Sequence, residues 1–356
     1  MGPGVDATAM RVRPVGCCLL CGRPGRRLYA DLTDRSFEAT GCWGFAQCEG
    51  LDCGLVWLDP QPLLEDLALA YRGYYTHAQP VPGSGALRVW LGLLQSAFLA
   101  RRLGYPPGSA GRWGPVGLWV LSSLARLHPG GEDELCGGAM YLPAPRRQAR
   151  LLDVGCGSGV HLVRMQDLGW EVEGVEVDLE AVKAARARGI SVRAGTLQDQ
   201  QYPAGSFDAV TCVHVLEHVH DPVGLLREIA RVLRMEGRLV VVTPNIESLG
   251  HRRYGAAWLN LDPPRHLYLF SARTLRRVAE MVGLKVLELR STARSAWVYG
   301  ALSRAIARTG RGRVTELNRL ANLVWGGLYQ LRMRWWLRRD PWAGDELLLI
   351  ARPNRG

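Results

Sequence analysis

The chain has 356 residues, of which 47% are apolar and 22% charged. These fractions are close to globular averages, so they exclude a disordered, collagen-like or coiled-coil chain. The longest apolar stretches, Val89–Ala100 and Trp113–Leu124, are shorter than the roughly 20 residues that span a bilayer. The first 15 residues contain prolines and charges and no apolar signal core. We therefore expect a soluble protein, located in the cytoplasm or peripherally at the inner membrane face.

The net charge of +11 is unevenly distributed along the chain. Residues 251–356 contain 20 Lys and Arg against 7 Asp and Glu, whereas the remaining residues are nearly balanced. A positive region of this kind favours an anionic partner, which can be a phosphate, a nucleic acid or a membrane surface.

The cysteines define a distinct N-terminal unit, which we predict at residues 15–62. Six of the nine cysteines lie before residue 54, in a chain whose other features favour thiols or metal ligands over disulfides. Two cysteine pairs on glycine-containing turns can supply the four thiolates of a tetrahedral zinc site. We predict a structural zinc ribbon, with the ligands Cys18, Cys21, Cys48 and Cys53. Cys17 or Cys42 is an alternative ligand, because the second pair is more widely spaced than usual, and unliganded core cysteines are the other interpretation.

Repeated strand and helix patterns begin at Arg150. The strands are predicted at 151–154, 171–177, 190–194, 207–213, 237–243, 284–289 and 345–351. Such β-α units predict a doubly wound, Rossmann-like α/β fold with a parallel sheet, whose ligand lies at the carboxyl ends of the strands. We assign the core to 150–294 and 343–353, a helical linker or cap to 63–149, and a basic helical insertion to 295–342.

The insertion at 295–342 combines tryptophan and tyrosine with arginine. This composition is typical of a helix that lies on a membrane surface. It would also suit RNA, and a solvated helix with one buried face is the third interpretation. The apolar stretches of the linker have two interpretations as well: helices packed on the core, or an interfacial cap that touches lipid or an apolar substrate.

A glycine-rich turn follows the first core strand, with the sequence Gly155-Cys-Gly-Ser-Gly159. Glycine lets the backbone approach a ligand that a Cβ would block. The spacing G-x-G-x-G differs from the G-x-G-x-x-G of dinucleotide enzymes. Glu176 ends the next strand 21 residues after Gly155, an offset at which a carboxylate accepts the ribose hydroxyls of a nucleoside. Asp178 is the alternative for that role.

Together these residues resemble the class I S-adenosylmethionine-dependent methyltransferases, over about residues 150–289. The resemblance implies a seven-stranded sheet and S-adenosylmethionine as cofactor, with Glu176 holding its ribose. Adenine would lie against the segment after the third strand, where the usual Asp of the family is missing. The cofactor-binding residues implied in this way are Asp153, Gly155, Cys156, Gly157, Gly159, Glu176, Val177, Thr196, Leu197 and His214.

The segment Thr211–Pro222 is similar to the ubiquinone-pathway O-methyltransferases and their small-molecule relatives, which often have E-x-x-E-H there. This chain has His214, Glu217 and His218 in the same pattern. These positions share one face of a helical turn, so they could hold a divalent cation. The histidine in first position favours Zn²⁺ or Mn²⁺ over Mg²⁺. The alternative is that Glu217 and His218 are structural hydrogen-bonding residues.

The segment Asn260–Phe270 looks like the P-x-x-H-l-x-x-F segment of the same relatives, which closes over the acceptor site. His266 is our candidate general base, because its ordinary pKa of about 6.5 suits the removal of a hydroxyl proton. The alternative is a structural histidine that caps the following helix. His214 is the second catalytic candidate, and Arg265 is a candidate to orient an anionic acceptor.

Bacterial methyltransferases of sugars and secondary metabolites also resemble this chain in carrying an N-terminal ribbon. We therefore predict an enzyme that methylates a small-molecule acceptor on oxygen: a sugar, a secondary metabolite or a lipid-linked compound. C-methylation stays open. An RNA methyltransferase is the second interpretation, but nucleic acid is disfavoured because neither an Asn-Pro-Pro-Tyr type motif nor a Pro-Cys nucleophile follows the fourth strand. A non-catalytic cofactor-binding scaffold is the third.

Overall fold

The computed structural model of the protein describes residues 10–71, 86–128, 130–146 and 148–354. Part of the predicted linker, residues 72–85, therefore lies outside the described residues. Within the described ranges, no helix has the length and hydropathy that a membrane span requires.

The N-terminal unit is built from short strands. They are β1 (Val12–Arg13), β2 (Gly25–Leu32), β3 (Trp43–Cys48), β4 (Val56–Leu58) and β5 (Gln61–Pro62). The strands β2, β3 and β4 form an antiparallel sheet, and β1 pairs separately with β5. Buried aromatic side chains of β3 and β4, including Trp43, Phe45 and Trp57, fill the space beneath this sheet.

The linker is helical where it is described. Its elements are a 3₁₀ helix (Leu64–Tyr71), α1 (Ala86–Leu103), a 3₁₀ helix (Gly108–Trp113), α2 (Gly114–Ala125) and α3 (Gly131–Gly137). The helices α1 and α2 coincide with the two apolar stretches of the sequence. Ala97 of α1 and Leu121 of α2 form a small buried cluster with Ala110 of the 3₁₀ helix between them.

The core alternates strands and helices as the sequence pattern predicts. Its elements are β6 (Arg150–Val154), α4 (Val160–Asp167), β7 (Glu171–Glu176), α5 (Leu179–Arg186), β8 (Val192–Ala194), β9 (Phe207–Val213), α6 (Pro222–Val232), β10 (Leu233–Pro244), α7 (Leu249–Tyr254), β11 (Tyr268–Leu269), α8 (Ala272–Met281), β12 (Leu284–Thr292), α9 (Ala296–Thr309), α10 (Leu320–Leu337) and β13 (Glu346–Pro353). Side-chain caps fix several helix starts: Asp178, Asp221 and Ser271 each accept hydrogen bonds from the first turn of the helix that follows.

Seven strands form one sheet in the order β12-β13-β10-β9-β6-β7-β8. The five strands from β10 to β8 are parallel, as predicted, but β13 runs antiparallel to both of its neighbours. The reason lies in the register, because Thr292 at the end of β12 pairs with Glu346 at the start of β13. The insertion that carries α9 and α10 thus leaves and re-enters the sheet at the same edge, so no crossover occurs.

The N-terminal unit shares its sheet with the core. β11, which follows His266 by two residues, pairs antiparallel with β4 and completes a four-stranded sheet. The buried residues of the N-terminal unit also belong to the same apolar cluster as Leu152, Val210 and Val241 of the central strands. The domain boundaries predicted from the sequence stay predictions, but the two parts are joined through this cluster.

Candidate active site

The glycine-rich turn lies between the carboxyl end of β6 and the start of α4. Gly155, Gly157 and Gly159 all have positive φ angles, of 73°, 53° and 74°. A side chain at Gly155 would collide with Val215, and one at Gly159 with Ala185. A Cβ at Gly157 would instead enter open space. We call this space the cradle, because a ligand there could lie directly against the backbone of the turn.

Glu176 lies directly beside this cradle. Its Oε2 accepts a hydrogen bond from the backbone N–H of Gly157 at 2.8 Å, and its Oε1 accepts one from the N–H of Asp178 at 2.9 Å. The residue is buried, whereas the neighbouring Val177 is 66% exposed. Asp178, the sequence-based alternative, uses its carboxylate to cap α5. The Glu176 carboxylate is therefore suited to accept hydrogen bonds from the hydroxyl groups of a nucleoside ribose, and the apolar side chain of Val177 lies next to it.

Asp153 and Cys156, two other predicted cofactor residues of β6 and its turn, have buried side chains. Asp153 is buried, and its carboxylate accepts a 2.6 Å hydrogen bond from the Thr211 hydroxyl. Burial raises the pKa of Asp153 to about 7, although the bond from Thr211 opposes this shift. The thiol of Cys156 points at Gly174, since a Cβ there would lie 2.5 Å from its sulfur. These two side chains support the turn, while only the backbone of Cys156 is available to a ligand.

The segment after β8 contains a carboxylate that the sequence analysis did not assign. The Oδ2 of Asp199 accepts hydrogen bonds from the N–H and the hydroxyl of Thr196, at 2.8 and 2.6 Å. Leu197 beside it is buried. An acidic group is therefore present in the segment after β8, three residues further along the chain than Thr196.

His214 is the centre of a buried ionic cluster at the same edge of the sheet. It follows β9 with a positive φ of 53°. Its Nδ1 lies 3.1 Å from Oε1 of Glu217, and its Nε2 lies 2.9 Å from Oε1 of Glu346. Burial would lower the pKa of His214, but the hydrogen bonds and charges of the two glutamates outweigh burial and raise it well above its usual range. His214 thus links two carboxylates through its two ring nitrogens, an arrangement that favours the protonated ring.

Hydroxyl groups complete this cluster. The Tyr299 hydroxyl donates to Oε1 of Glu346 at 2.5 Å, and the Thr243 hydroxyl donates to Oε2 of Glu217 at 2.9 Å. Glu346 and Tyr299 were not predicted from the sequence, since neither belongs to a motif. The only hint was the position of Glu346 at the start of a buried apolar strand, where a carboxylate needs a partner.

The three residues proposed from the sequence as a divalent-cation site do not form one. Both ring nitrogens of His214 are paired with carboxylates, so neither nitrogen is available to coordinate an ion. The set that the structure brings together is Glu217, His218 and His266, whose ligand atoms lie within 4.8 Å of one another. The prediction assumed that His214 and Glu217 lie on one face of a helical turn. His214 has a left-handed backbone conformation, so this assumption does not hold.

His266 lies behind the ionic cluster and is only 6% exposed. Its Nδ1 donates to the carbonyl oxygen of Asn260 at 2.7 Å, which leaves Nε2 as the acceptor nitrogen. The Nδ1 of His218 similarly lies 3.0 Å from the carbonyl oxygen of Arg265. The two imidazole rings are in edge contact, with centroids 4.7 Å apart.

Arg265 is not available to orient an acceptor. Its guanidinium is fully buried and pairs with two carboxylates, those of Asp34 and Asp262. It lies over the Phe37 ring as well. Arg265 therefore connects the N-terminal unit to the segment that carries His266.

The four cysteines predicted as zinc ligands converge. The Sγ atoms of Cys18 and Cys53 are 3.6 Å apart, those of Cys21 and Cys48 are 3.3 Å apart, and all four lie within 4.8 Å of one another. Tetrahedral zinc with Zn–S bonds of about 2.3 Å places its sulfurs roughly 3.8 Å apart. Backbone N–H groups of Leu20 and Gly50 also point at two of these sulfurs. The cluster thus fits a four-thiolate zinc ion, whereas the alternative ligands Cys17 and Cys42 are exposed and outside it.

Comparison with known proteins matches the core of the chain to one family. Residues 132–289 match a family model described as a methyltransferase domain. The ubiquinone biosynthesis O-methyltransferase of Xanthomonas oryzae pv. oryzae (strain PXO99A) is 41% identical over 104 residues, which cover 27% of this chain and 44% of that protein. The enzyme of the same name from Xanthomonas campestris pv. campestris (strain B100) is 40% identical over 105 residues, with the same coverage. The chain thus spans less than half the length of these relatives.

Solved structures of S-adenosylmethionine-dependent methyltransferases are also similar. The one from Mesorhizobium loti is 16% identical, with a TM-score of 0.42, and the match covers 62% of this chain and 97% of that one. The one from Archaeoglobus fulgidus is 20% identical, also with a TM-score of 0.42, and covers 64% and 98%. On the evidence of the matched family model and the identity to the two relatives, residues 132–289 of this chain are a methyltransferase domain.

Proposed function

We propose that the protein transfers a methyl group from S-adenosylmethionine to an oxygen of a small-molecule acceptor. The observation that carries this proposal is the position of the Glu176 carboxylate, 2.8 Å from the N–H of Gly157 and beside a backbone cradle at the carboxyl edge of the sheet. The similarity to ubiquinone biosynthesis O-methyltransferases supports a small acceptor and oxygen as the attacked atom.

The residues of the chain would act mainly by positioning. S-adenosylmethionine, when bound, supplies an electrophilic methyl group on its sulfonium sulfur. The sulfur would keep the electron pair of the broken S–C bond, while the acceptor oxygen would bond to the methyl carbon and lose its proton. Glu176 would hold the ribose, and the turn from Gly155 to Gly159 would hold the methionine part against backbone. Alignment of the reacting atoms accounts for much of the rate of such a transfer.

His214 and His266 would have different roles in this reaction. His214 lies at the edge of the sheet, 33% of its side chain is exposed, and it is bound to Glu346 and Glu217. His266 is buried behind Glu217, with its Nδ1 bound to Asn260. We therefore propose that the His214–Glu346 ion pair contacts the acceptor and orients its hydroxyl group, whose proton passes to water, and that His266 is a positioning residue for the wall formed by Glu217 and His218.

The cysteine cluster would hold a structural zinc ion. Four thiolates satisfy the tetrahedral preference of zinc and leave no open coordination position, so the ion would have no catalytic role. Its contribution would be to fix the turns that flank β2 and β3, and with them the sheet that β11 joins.

The experiment that tests the proposal is a calorimetric titration of the full chain with S-adenosylmethionine and with S-adenosylhomocysteine, followed by transfer of labelled methyl to small molecules from cell extracts. We expect both ligands to bind and the label to move to an extractable small molecule. Label on RNA would favour the nucleic-acid interpretation instead. Binding without any transfer, with every extract tried, would support the scaffold interpretation.

A further inference from the structure

A large cavity lies between the cap helices and the start of α4. Its volume of about 610 Å³ falls in the range of small-molecule pockets, which measure roughly 300–1,000 Å³. The apolar part of its wall comes from α1, α2 and α3 and from the residues just after α2. The residues of this part are Leu91, Leu94, Leu124, Leu127 and Leu135.

The polar residues that line the cavity come from both the cap and the core. They are Arg164, His161, Arg294, His128, Gln95 and Glu134. Glu134 is already bound, because its Oε2 accepts the N–H of Ser295 at 3.1 Å. In the part of the chain that the structure describes, the guanidinium groups of Arg164 and Arg294 have neither a hydrogen bond nor a carboxylate within 4 Å. Two half-buried guanidinium groups to which no carboxylate is bound are suited to bind an anion.

This cationic end of the cavity is close to the His214 cluster. The backbone N–H of Arg294 donates to the hydroxyl oxygen of Thr292 at 3.3 Å, and this hydroxyl donates to Oε2 of Glu346, also at 3.3 Å. Glu346 in turn is hydrogen-bonded to His214 and Tyr299. An anionic group held by Arg294 would therefore lie next to the residues proposed to contact the acceptor.

The opposite end of the cavity opens at an apolar surface. Leu127 is 75% exposed, and Leu91 and Leu124 are nearly half exposed, although all three line the cavity. Val116 and Trp119 of α2 are also exposed, as is Trp113, which directly precedes α2. A hydrocarbon chain that leaves the cavity at this end would meet leucine and tryptophan side chains.

We propose that the cavity binds the methyl acceptor, and that the acceptor is an amphiphile with a phosphate or carboxylate group and a hydrocarbon chain. The anionic group binds between Arg164 and Arg294, and the chain lies along the leucine side chains toward the opening. The assignment of this ligand as the methyl acceptor rests on the function proposed above. The binding of an anionic amphiphile in the cavity does not depend on that function.

Octyl phosphate is a suitable probe, and calorimetry on the full chain with saturating S-adenosylhomocysteine measures its affinity. We expect binding that weakens by about fourfold for each methylene removed from the chain, because each buried methylene contributes roughly 0.8 kcal/mol. Arg294→Gln and Arg164→Gln should each weaken binding at least tenfold, while Arg294→Lys retains part of it. Arg352→Gln, which removes an exposed charge bound to Glu236, is the matched control and should change nothing.

Three outcomes would overturn the proposal. The first is that octyl phosphate binds no more tightly than inorganic phosphate. The second is that its affinity is the same in the arginine variants as in the wild type. The third outcome is a loss of S-adenosylhomocysteine affinity in these variants with unchanged probe affinity, which would assign the arginines to the carboxylate of the cofactor. If S-adenosylhomocysteine does not bind to the wild type at all, the proposed function fails, but titration with octyl phosphate alone still decides what the cavity binds.

Discussion

Arg265 and Asp34 are 231 residues apart in the sequence and form a fully buried, two-point ion pair. The Nη1 of Arg265 donates to Oδ2 of Asp34 at 2.7 Å, and its Nη2 donates to Oδ1 at 2.8 Å. Asp262 binds the same guanidinium from the other side, at 2.6 and 2.9 Å. Because Arg265 precedes His266 directly, this contact ties the N-terminal unit to the segment that carries His266.

We expect Arg265→Met to lower the free energy of unfolding by about 3–5 kcal/mol, since it leaves two buried carboxylates without their cation. Urea unfolding followed by circular dichroism measures the loss. Arg352→Met, which breaks an exposed pair, is the control and should cost about 1 kcal/mol or less. Equal effects of the two substitutions would show that the buried pair does not hold these segments together.

The same pair predicts a loss of stability in acid. Although burial would raise the pKa of Asp34, the hydrogen bonds and charge of Arg265 lower it below its usual 3.8. A carboxyl group with a lowered folded-state pKa stabilises the fold fully above its unfolded pKa, and this contribution disappears as the pH falls through the folded pKa. We therefore expect the unfolding temperature of the wild type to fall more steeply below about pH 4 than that of Asp34→Asn. Parallel curves for the two proteins would contradict this assignment.

Zinc should be present at about one equivalent in the purified protein. Cys48→Ser removes one of the four converging thiolates and should abolish most of the bound zinc, because the remaining three leave the tetrahedron incomplete. Cys42→Ser is the matched control, since Cys42 is exposed and lies outside the cluster. Metal analysis by mass spectrometry measures the effect, and a folded wild-type protein without metal would refute the zinc assignment.

Glu176→Ala should weaken S-adenosylhomocysteine binding by about 1–3 kcal/mol, the contribution of hydrogen bonds to a charged group. Glu180→Ala removes an exposed carboxylate of α5 and serves as control. Asp178→Ala should reduce the stability of α5, which Asp178 caps, with little effect on affinity. Calorimetric titration of the three variants gives the comparison. If Asp178→Ala proves to be the variant that loses affinity, the ribose role belongs to Asp178.

The surface around the cavity opening should bind anionic membranes. Residues 86–131 and 317–339 contain five arginines each and no Asp or Glu. Trp119 of α2 and Trp335 of α10 are about half exposed on these segments, and Arg334 of α10 donates a hydrogen bond to the carbonyl oxygen of His128, so the segments are adjacent. Arginine with exposed tryptophan is the composition of interfacial helices, which anionic lipids attract.

Sedimentation with vesicles that contain phosphatidylglycerol tests this surface. We expect the wild type to sediment with these vesicles and much less with pure phosphatidylcholine, and we expect Trp119→Asp and Trp335→Asp to reduce sedimentation severalfold. Met281→Asp places the same charge at an equally exposed apolar position on α8 and should have no effect. Loss of binding in all three variants would indicate a general charge effect and not this surface.

The glycine turn and Glu176 could be found from the sequence because their requirements are local. A turn with positive φ angles selects glycine, and a carboxylate at the end of the next strand has a fixed offset from it. The strand and helix periods of the core are local in the same sense, so the elements from Arg150 onward follow the predicted order. The four cysteines could also be identified from their spacing, because two cysteines on one short turn can bind the same metal ion.

Only the tertiary structure decided the relationships between distant segments. The pairing of His214 with Glu346, the antiparallel insertion of β13, the contribution of β11 to the N-terminal sheet and the burial of Arg265 against Asp34 each join residues more than 50 positions apart. Such contacts depend on which buried surfaces meet when the sheet and the N-terminal unit pack together, and no short pattern of residues encodes that choice. The cavity between the cap and α4 is a result of the same packing, which is why its unpaired arginines became visible only in the folded chain.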